Sequence, residues 1–139
     1  EFRVVVPVLD AKRGHIFTAR YRVAGGLPER VAEPMLADPG VFIQETLAAT
    51  PPGESVALLG AGLDYHREAL FSSGSGRLVE LPRECWPGRA AAVLRLGYGA
   101  ALRAGERAFS EPASLLPLYI RLPEAEEVYR KKHGLPLDK

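Results

Sequence analysis

Residues 3–9 open the chain as a short β-rich run, Arg-Val-Val-Val-Pro-Val-Leu, in which Pro7, lacking an amide hydrogen, predicts an edge position or a local irregularity. Asp10-Ala11-Lys12-Arg13-Gly14 then reads as a tight connection, because Asp tolerates turn geometry and Gly14 can supply positive φ. Residues 15–23 alternate strictly. Ile16, Thr18, Arg20 and Arg22 fall on one face, and Phe17, Ala19, Tyr21 and Val23 on the other, so the two runs predict an antiparallel hairpin. Gly25-Gly26 breaks the pattern, and residues 30–36 form a third strand.

Beyond this the period changes. Asp38-Pro39 marks a helix start, an acceptor at the N-cap followed by proline in the first turn, and the helix carries Val41, Phe42, Leu47 and Ala48 before stopping at Pro51-Pro52-Gly53. Residues 55–59 are continuously apolar, as in a strand buried on both faces. Gly60-Ala61-Gly62 follows, then a short helix over 63–71, a surface loop over 72–76 and a brief strand over 78–81. The strongest helical pattern covers 87–107. Ala91, Leu94, Ala101 and Leu102 give it an apolar stripe, and Gly97 and Gly99, each costing roughly 1 kcal/mol against Ala, predict close packing and a buried helix. Residues 113–122 read as a final extended segment, and 124–132 as a charged helix or loose tail. Antiparallel strands followed by alternating βα units establish an α/β class.

Composition narrows the partners. At 139 residues, 47% hydrophobic and 25% charged, the chain has ordinary globular character and the length of one domain. Eighteen basic against seventeen acidic residues leave +1, so any nucleic-acid contact would be local. The single Cys85 excludes an internal disulfide framework and fits a reducing, cytoplasmic compartment. No apolar run approaches the roughly 20 residues of a membrane span, and no signal-peptide pattern is present. The absence of an initiator Met, with a strand entered almost at once, reads as a piece of a longer protein.

Three stretches carry a family resemblance. Val8-Leu9-Asp10-Ala11-Lys12-Arg13-Gly14-His15-Ile16-Phe17, Leu59-Gly60-Ala61-Gly62, and Pro117-Leu118-Tyr119-Ile120-Arg121 with Pro123-Glu124-Ala125-Glu126 resemble, in order and separation, the C-terminal lobe of the TsaB (YeaZ) family. His15 replaces an acidic residue and Ile120 a Leu of the family pattern. The resemblance implies a ribonuclease H-like lobe of the actin-like ATPase superfamily over residues 1–122, a mixed sheet with three antiparallel strands and then βα units, followed by a charged tail over 123–139. It further implies that the family's N-terminal lobe is missing from this chain.

The implied role is that of a non-catalytic subunit, often labelled a glycoprotease homologue. It would bind TsaD and the ATPase TsaE in the bacterial complex that places threonylcarbamoyl on tRNA adenosine, with weak or indirect tRNA contact. Apolar surface left by the missing lobe predicts self-association as a homodimer. Alternatives are an ATP-binding or glycoprotease-like enzyme of the same superfamily and an unrelated small α/β binding module.

Within this resemblance, Asp10, Lys12, Arg13 and Gly14 occupy the superfamily's phosphate-loop position. That loop needs small residues whose amides hold phosphate, and one glycine beside two bulky cations makes a degenerate version, expected as a solvated turn. Gly60 and Gly62 stand at the adenosine-facing position, where a plain strand-to-helix turn serves as well. No cofactor is expected. His15, His66 and His133 lack partners at metal-ligand spacing, and Asp64 and His66 point to different sides of a helix, so no metal is expected either. Cys85, beside Trp86-Pro87 at a helix start, reads as a half-buried structural thiol rather than a nucleophile, and Ser72, Ser73 and Ser75 as a loop without a nucleophile elbow. Arg130-Lys131-Lys132-His133 and Lys139, with Tyr129 as a base-stacking candidate, are offset by Glu124, Glu126 and Glu127 and read as a solvated tail.

Overall fold

The alternating N-terminus forms strand β1 (Phe2–Asp10), which pairs antiparallel with β2 (Ile16–Arg22) across the predicted hairpin, and β2 pairs antiparallel with β3 (Glu29–Ala37). The structure, a computed structural model, describes residues 2–25, 27–72, 76–105, 113 and 116–136. Helix α1 (Pro39–Ala49) leads into β4 (Ser55–Leu59), which lies parallel to β1; helix α2 (Leu63–Phe71) leads into β5 (Leu78–Glu80), parallel to β4. The sheet is therefore mixed, in the order β3-β2-β1-β4-β5. Helices α3 (Ala90–Ala104) and α4 (Glu124–Lys132) follow a one-turn 3-10 segment at Arg83–Cys85.

The core lies on one side of this sheet. Val4, Val6 and Val8 of β1, Ile16 of β2, and Val56 and Leu58 of β4 pack against Phe42 and Ile43 of α1 and Leu63 and Leu70 of α2. Period-two alternation sends these strand residues to one face. The residues between them, Val5, Pro7 and Leu9 of β1 and Phe17 of β2, fall on the other, where Leu9 is 56% exposed. β1 is the central strand, so Pro7 marks no edge. It interrupts the β1–β2 ladder between the pairs Val5–Tyr21 and Val8–Thr18, and its carbonyl instead accepts a hydrogen bond from the Thr18 hydroxyl at 2.8 Å.

Helix α1 begins as its sequence demands. The Asp38 carboxylate accepts from the Val41 amide at 3.0 Å, and Pro39 occupies the first turn. Its inward stripe is Phe42, Ile43 and Thr46; Val41 and Ala48, expected there, are exposed. At its other end the Arg77 guanidinium donates to the carbonyls of Leu47, Thr50, Pro51 and Glu54, adding to the backbone bonds that Leu47 and Pro51 accept from Thr50 and Glu54.

Helix α3 overturns an expectation. None of its residues is buried, and Val93, Leu94, Tyr98 and Leu102 are all exposed. A Cβ at Gly97 would meet nothing, while one at Gly99 would collide with Leu27, so only one of the two glycines marks a close approach. The periodicity correctly makes a helix but specifies no surface to cover it. Parts of the predicted 72–76 loop (73–75), the end of the 87–107 helix (106 and 107), residues 114–115 and the last residues 137–139 lie outside the described residues, as does Gly26.

Candidate functional site

The hairpin loop between β1 and β2 collects most of the residues singled out in the sequence. Lys12, Arg13 and Gly14 all adopt positive φ (61°, 55° and 79°), a region that costs side-chain-bearing residues energy, so neighbouring bonds must offset the strain. Those bonds are present. The Lys12 amide donates to Asp10 Oδ1 at 2.9 Å, the Ala11 amide to the His15 carbonyl at 3.0 Å, and the His15 amide to the Lys12 carbonyl at 3.1 Å. Three loop amides are thus committed to the chain itself.

The side chains are committed as well. Lys12 Nζ lies 2.7 Å from Asp10 Oδ2 and above the Tyr65 ring. Asp10 Oδ1 also meets His66 Nε2 at 3.0 Å, so a histidine isolated in sequence is paired in space, with both side chains largely shielded. The hydrogen bond from Lys12, aided by His66, holds the Asp10 carboxyl well below the usual carboxylate range, and Asp10 in turn raises the Lys12 ammonium. Arg13 donates to Glu124 and Glu127 of α4, each at 2.8 Å, and is raised chiefly by Glu127. Arg121 donates to Glu127 at 2.9 Å and to the Ala11 carbonyl at 3.1 Å. Glu127 is accordingly lowered, first by Arg121 and then by Arg13. Lys12, Arg13, Gly14 and His15 are exposed, as a solvated turn requires, and the C-terminal segment is clasped to the loop through Arg13 and the Ala11 carbonyl.

Gly60 and Gly62 serve the same region structurally. Gly60 has φ +116°, and any side chain there would overlap the Val8 carbonyl; a Cβ at Gly62 would come within 2.8–2.9 Å of Val8 and Leu9. The Gly62 amide donates to the Val8 carbonyl at 3.0 Å. Glycine here lets the β4–α2 turn press against β1 and places His66, one helical turn on, beside Asp10.

On the open face of the sheet, Pro7, Leu9, Phe17, Ala19 and Tyr21 line a shallow groove of about 170 Å³, closed at one side by Ile120. Leu118 joins Ile120 over Leu9 and Phe17 in an adjoining depression. The motif around Tyr119 thus delivers Ile120 to the groove and Arg121 to the loop.

Elsewhere the candidates separate. Cys85 is exposed on its 3-10 turn, not half-buried, because the neighbouring Trp86, whose indole donates to the Leu81 carbonyl at 2.8 Å, takes the half-buried position. Asp64 pairs with Arg83 and Arg67 with Glu80 on the outer face of α2. Within the tail, α4 (Glu124–Lys132) has acids in its first turn and bases in its last, the polarity a helix dipole favours. Arg130 is held by Glu126 at 2.7 Å, and Tyr129 lies against His133 with ring centroids 4.3 Å apart. His15 Nδ1 sits 2.9 Å from the Arg13 carbonyl. Among the described residues no cluster of three or more His, Cys, Asp or Glu could hold a metal ion, and no helix is long and apolar enough to cross a membrane.

Sequence reasoning missed the meeting of His66 with Asp10 and of Glu124 and Glu127 with Arg13. Both pairings span more than 50 residues, beyond any local pattern. Arg121 and Glu124 carried a signal, as members of the Pro-Leu-Tyr-Ile-Arg and Pro-Glu-Ala-Glu stretches. No family model matches the chain, and no curated protein matches it.

Proposed function

We propose that this chain is a non-catalytic, ribonuclease H-like lobe of the TsaB type, a scaffold within the bacterial complex that installs threonylcarbamoyl on tRNA adenosine. TsaD and TsaE are its partners under this reading, and it acts in the cytoplasm without a cofactor of its own. The sheet order supports the fold half of the proposal: three antiparallel strands followed by two parallel ones added beside β1. The observation that carries the functional half is the hairpin loop. Amides of Ala11, Lys12 and His15 that a phosphate loop would present are consumed internally, and the carboxylates of Asp10, Glu124 and Glu127 stand around it. Lys12 and Arg13 are already paired with these carboxylates rather than offered to a phosphate, and bulky side chains keep phosphate from the backbone.

The test has two parts. Calorimetry with ATP and magnesium should give negligible heat, whereas micromolar binding would favour the ATP-binding enzyme. Pull-down of TsaD and TsaE by this chain, and by a chain carrying the family's N-terminal lobe, should capture at least one partner; failure of both baits would favour an unrelated α/β module. The exposed apolar length of α3 supports self-association as a homodimer, and sedimentation showing a monomer at high concentration would remove that element.

A further inference from the structure

We infer that residues 116–132 form a charge-held strap, which opens as a unit while the sheet stays folded and so uncovers the apolar groove and the hairpin loop together. The inference is independent of the proposed family role.

The strap has an unusual division of contacts. Its apolar grip is thin: Leu116, Leu118 and Tyr119 are 79%, 71% and 61% exposed, and Ile120 is the one side chain of this stretch that lines both depressions against Leu9 and Phe17. The described stretch 116–122 joins no strand, and none of the residues of α4 is buried. What fixes the strap to the loop is polar and mostly ionic: Arg13 pairs with Glu124 and Glu127, and Arg121, itself paired with Glu127 within the strap, donates to the Ala11 carbonyl. Arg13 is 47% and Glu124 78% exposed, so part of this clasp is open to solvent and to screening ions. Segments with few buried apolar contacts and exposed polar ones open locally before the core does.

The two halves are mechanically joined. Ile120 and Arg121 are adjacent, so one cannot leave the groove without straining the other's hold on the loop. Conversely, loss of the Arg13 pairs removes the ionic hold on α4 and leaves the 118–121 stretch to its shallow apolar contact and the Arg121–Ala11 hydrogen bond. Opening therefore exposes Leu9 and Phe17 on the sheet and frees Arg13 on the loop in a single event.

Hydrogen exchange of the whole chain, followed peptide by peptide in low salt and in 1 M sodium chloride, tests this. Screening lengths fall from about 10 Å at 0.1 M to about 3 Å at 1 M. Exchange over 116–132 should accelerate about tenfold, the loss expected when a few surface pairs are screened, with β1 and β4 unchanged as internal controls of folding. Arg13→Ala should give fast strap exchange already in low salt and a much reduced salt response. Ile120→Ser should also accelerate exchange but retain the salt response, since the clasp remains. Strap exchange as slow as that of β1, a rate indifferent to salt, or an Arg13→Ala chain whose salt response equals the parent's would each overturn the inference.

Discussion

Helices α1 and α3 have similar lengths and opposite fates. α1 mixes Gln44, Glu45 and four threonine or small positions among its apolar residues, yet it buries Phe42, Ile43 and Thr46 against the sheet. α3 is apolar for nearly its whole length, with Arg95 and Arg103 its only charges, yet none of its residues is buried. The difference lies in what the chain supplies opposite each helix. α1 is capped by Asp38 at one end, clamped by Arg77 at the other and delivered directly onto the Val4-Val6-Val8 face; α3 approaches Leu27 at Gly99 and lines a depression with Leu27, Pro28 and Glu29 through Arg103, burying none of its own residues. Apolar content gives a helix the need for a cover but not the cover itself.

The comparison breaks most readily at its largest expected effect. Phe42→Ala should cost about 3–5 kcal/mol, the usual range for emptying a buried aromatic site. Leu94→Ala in α3 should stay within about 0.5 kcal/mol in the chain alone, because an exposed side chain loses nothing on truncation. Chemical denaturation of the two variants measures both. A large loss at Leu94 would mean that α3 is covered within the chain or by a second copy, and repeating the measurement across protein concentrations would separate those.

Glycines sharpen the same contrast. Gly60→Ala should destabilise by about 3 kcal/mol, combining left-handed strain with overlap of the Val8 carbonyl, since strained backbone positions alone account for about 1–3. Gly97→Ala should raise stability by up to about 1 kcal/mol, because its Cβ meets open space and helix propensity improves. Thermal melts should therefore move in opposite directions. If Gly97→Ala also lowers the melting temperature, the face of α3 around it is occupied.

The strands and α2 were legible because each has a local cause. Ser55–Leu59 and Leu63–Phe71 match their expected bounds, one from an unbroken apolar run and the other from its Gly-Ala-Gly entrance. The hairpin followed from alternation on either side of Asp10-Ala11-Lys12-Arg13-Gly14. Of the two outcomes Pro7 allows, edge or irregularity, the structure takes the second, and nothing nearby announces that the Thr18 hydroxyl will bond its carbonyl. Of the candidate site, Asp10, Lys12, Arg13 and Gly14 were visible as a loop, but their partners were not. His66, Glu124 and Glu127 reach the loop through the order of strands and the course of residues 116–132, which no local spacing encodes.

Arg77 asks how much of α1's advantage comes from its end rather than its face. Four carbonyls accept from one guanidinium, three of them at 2.8–2.9 Å, and two of the four, Leu47 and Thr50, belong to the end of α1. Arg77→Ala should cost about 2 kcal/mol, within the range for hydrogen bonds to a charged group. Amide exchange should quicken at the last turn of α1 more than at its Asp38 end. Uniform quickening along the helix would mean that Arg77 supports the fold generally rather than clamping that terminus.

The smallest effect belongs to the open face. Glu127 is lowered from its ordinary 4.5 by Arg121 and Arg13, so its contribution to holding the strap is fully present above that value. As pH falls below 4.5 the unfolded or released carboxyl takes up a proton first, and the stabilisation fades until pH has passed through the lower, folded value. Asp10, lowered from 3.8 by Lys12 and His66, follows the same sign at still lower pH. A carbon-detected titration of the Glu127 carboxyl should thus give a midpoint below 4.5, and Arg121→Ala should move it upward more than Arg13→Ala. A midpoint at or above 4.5 would show that the strap spends much of its time off the loop at ordinary salt. The contrast between a covered and an uncovered face would then extend from α3 to the C-terminal segment as a whole.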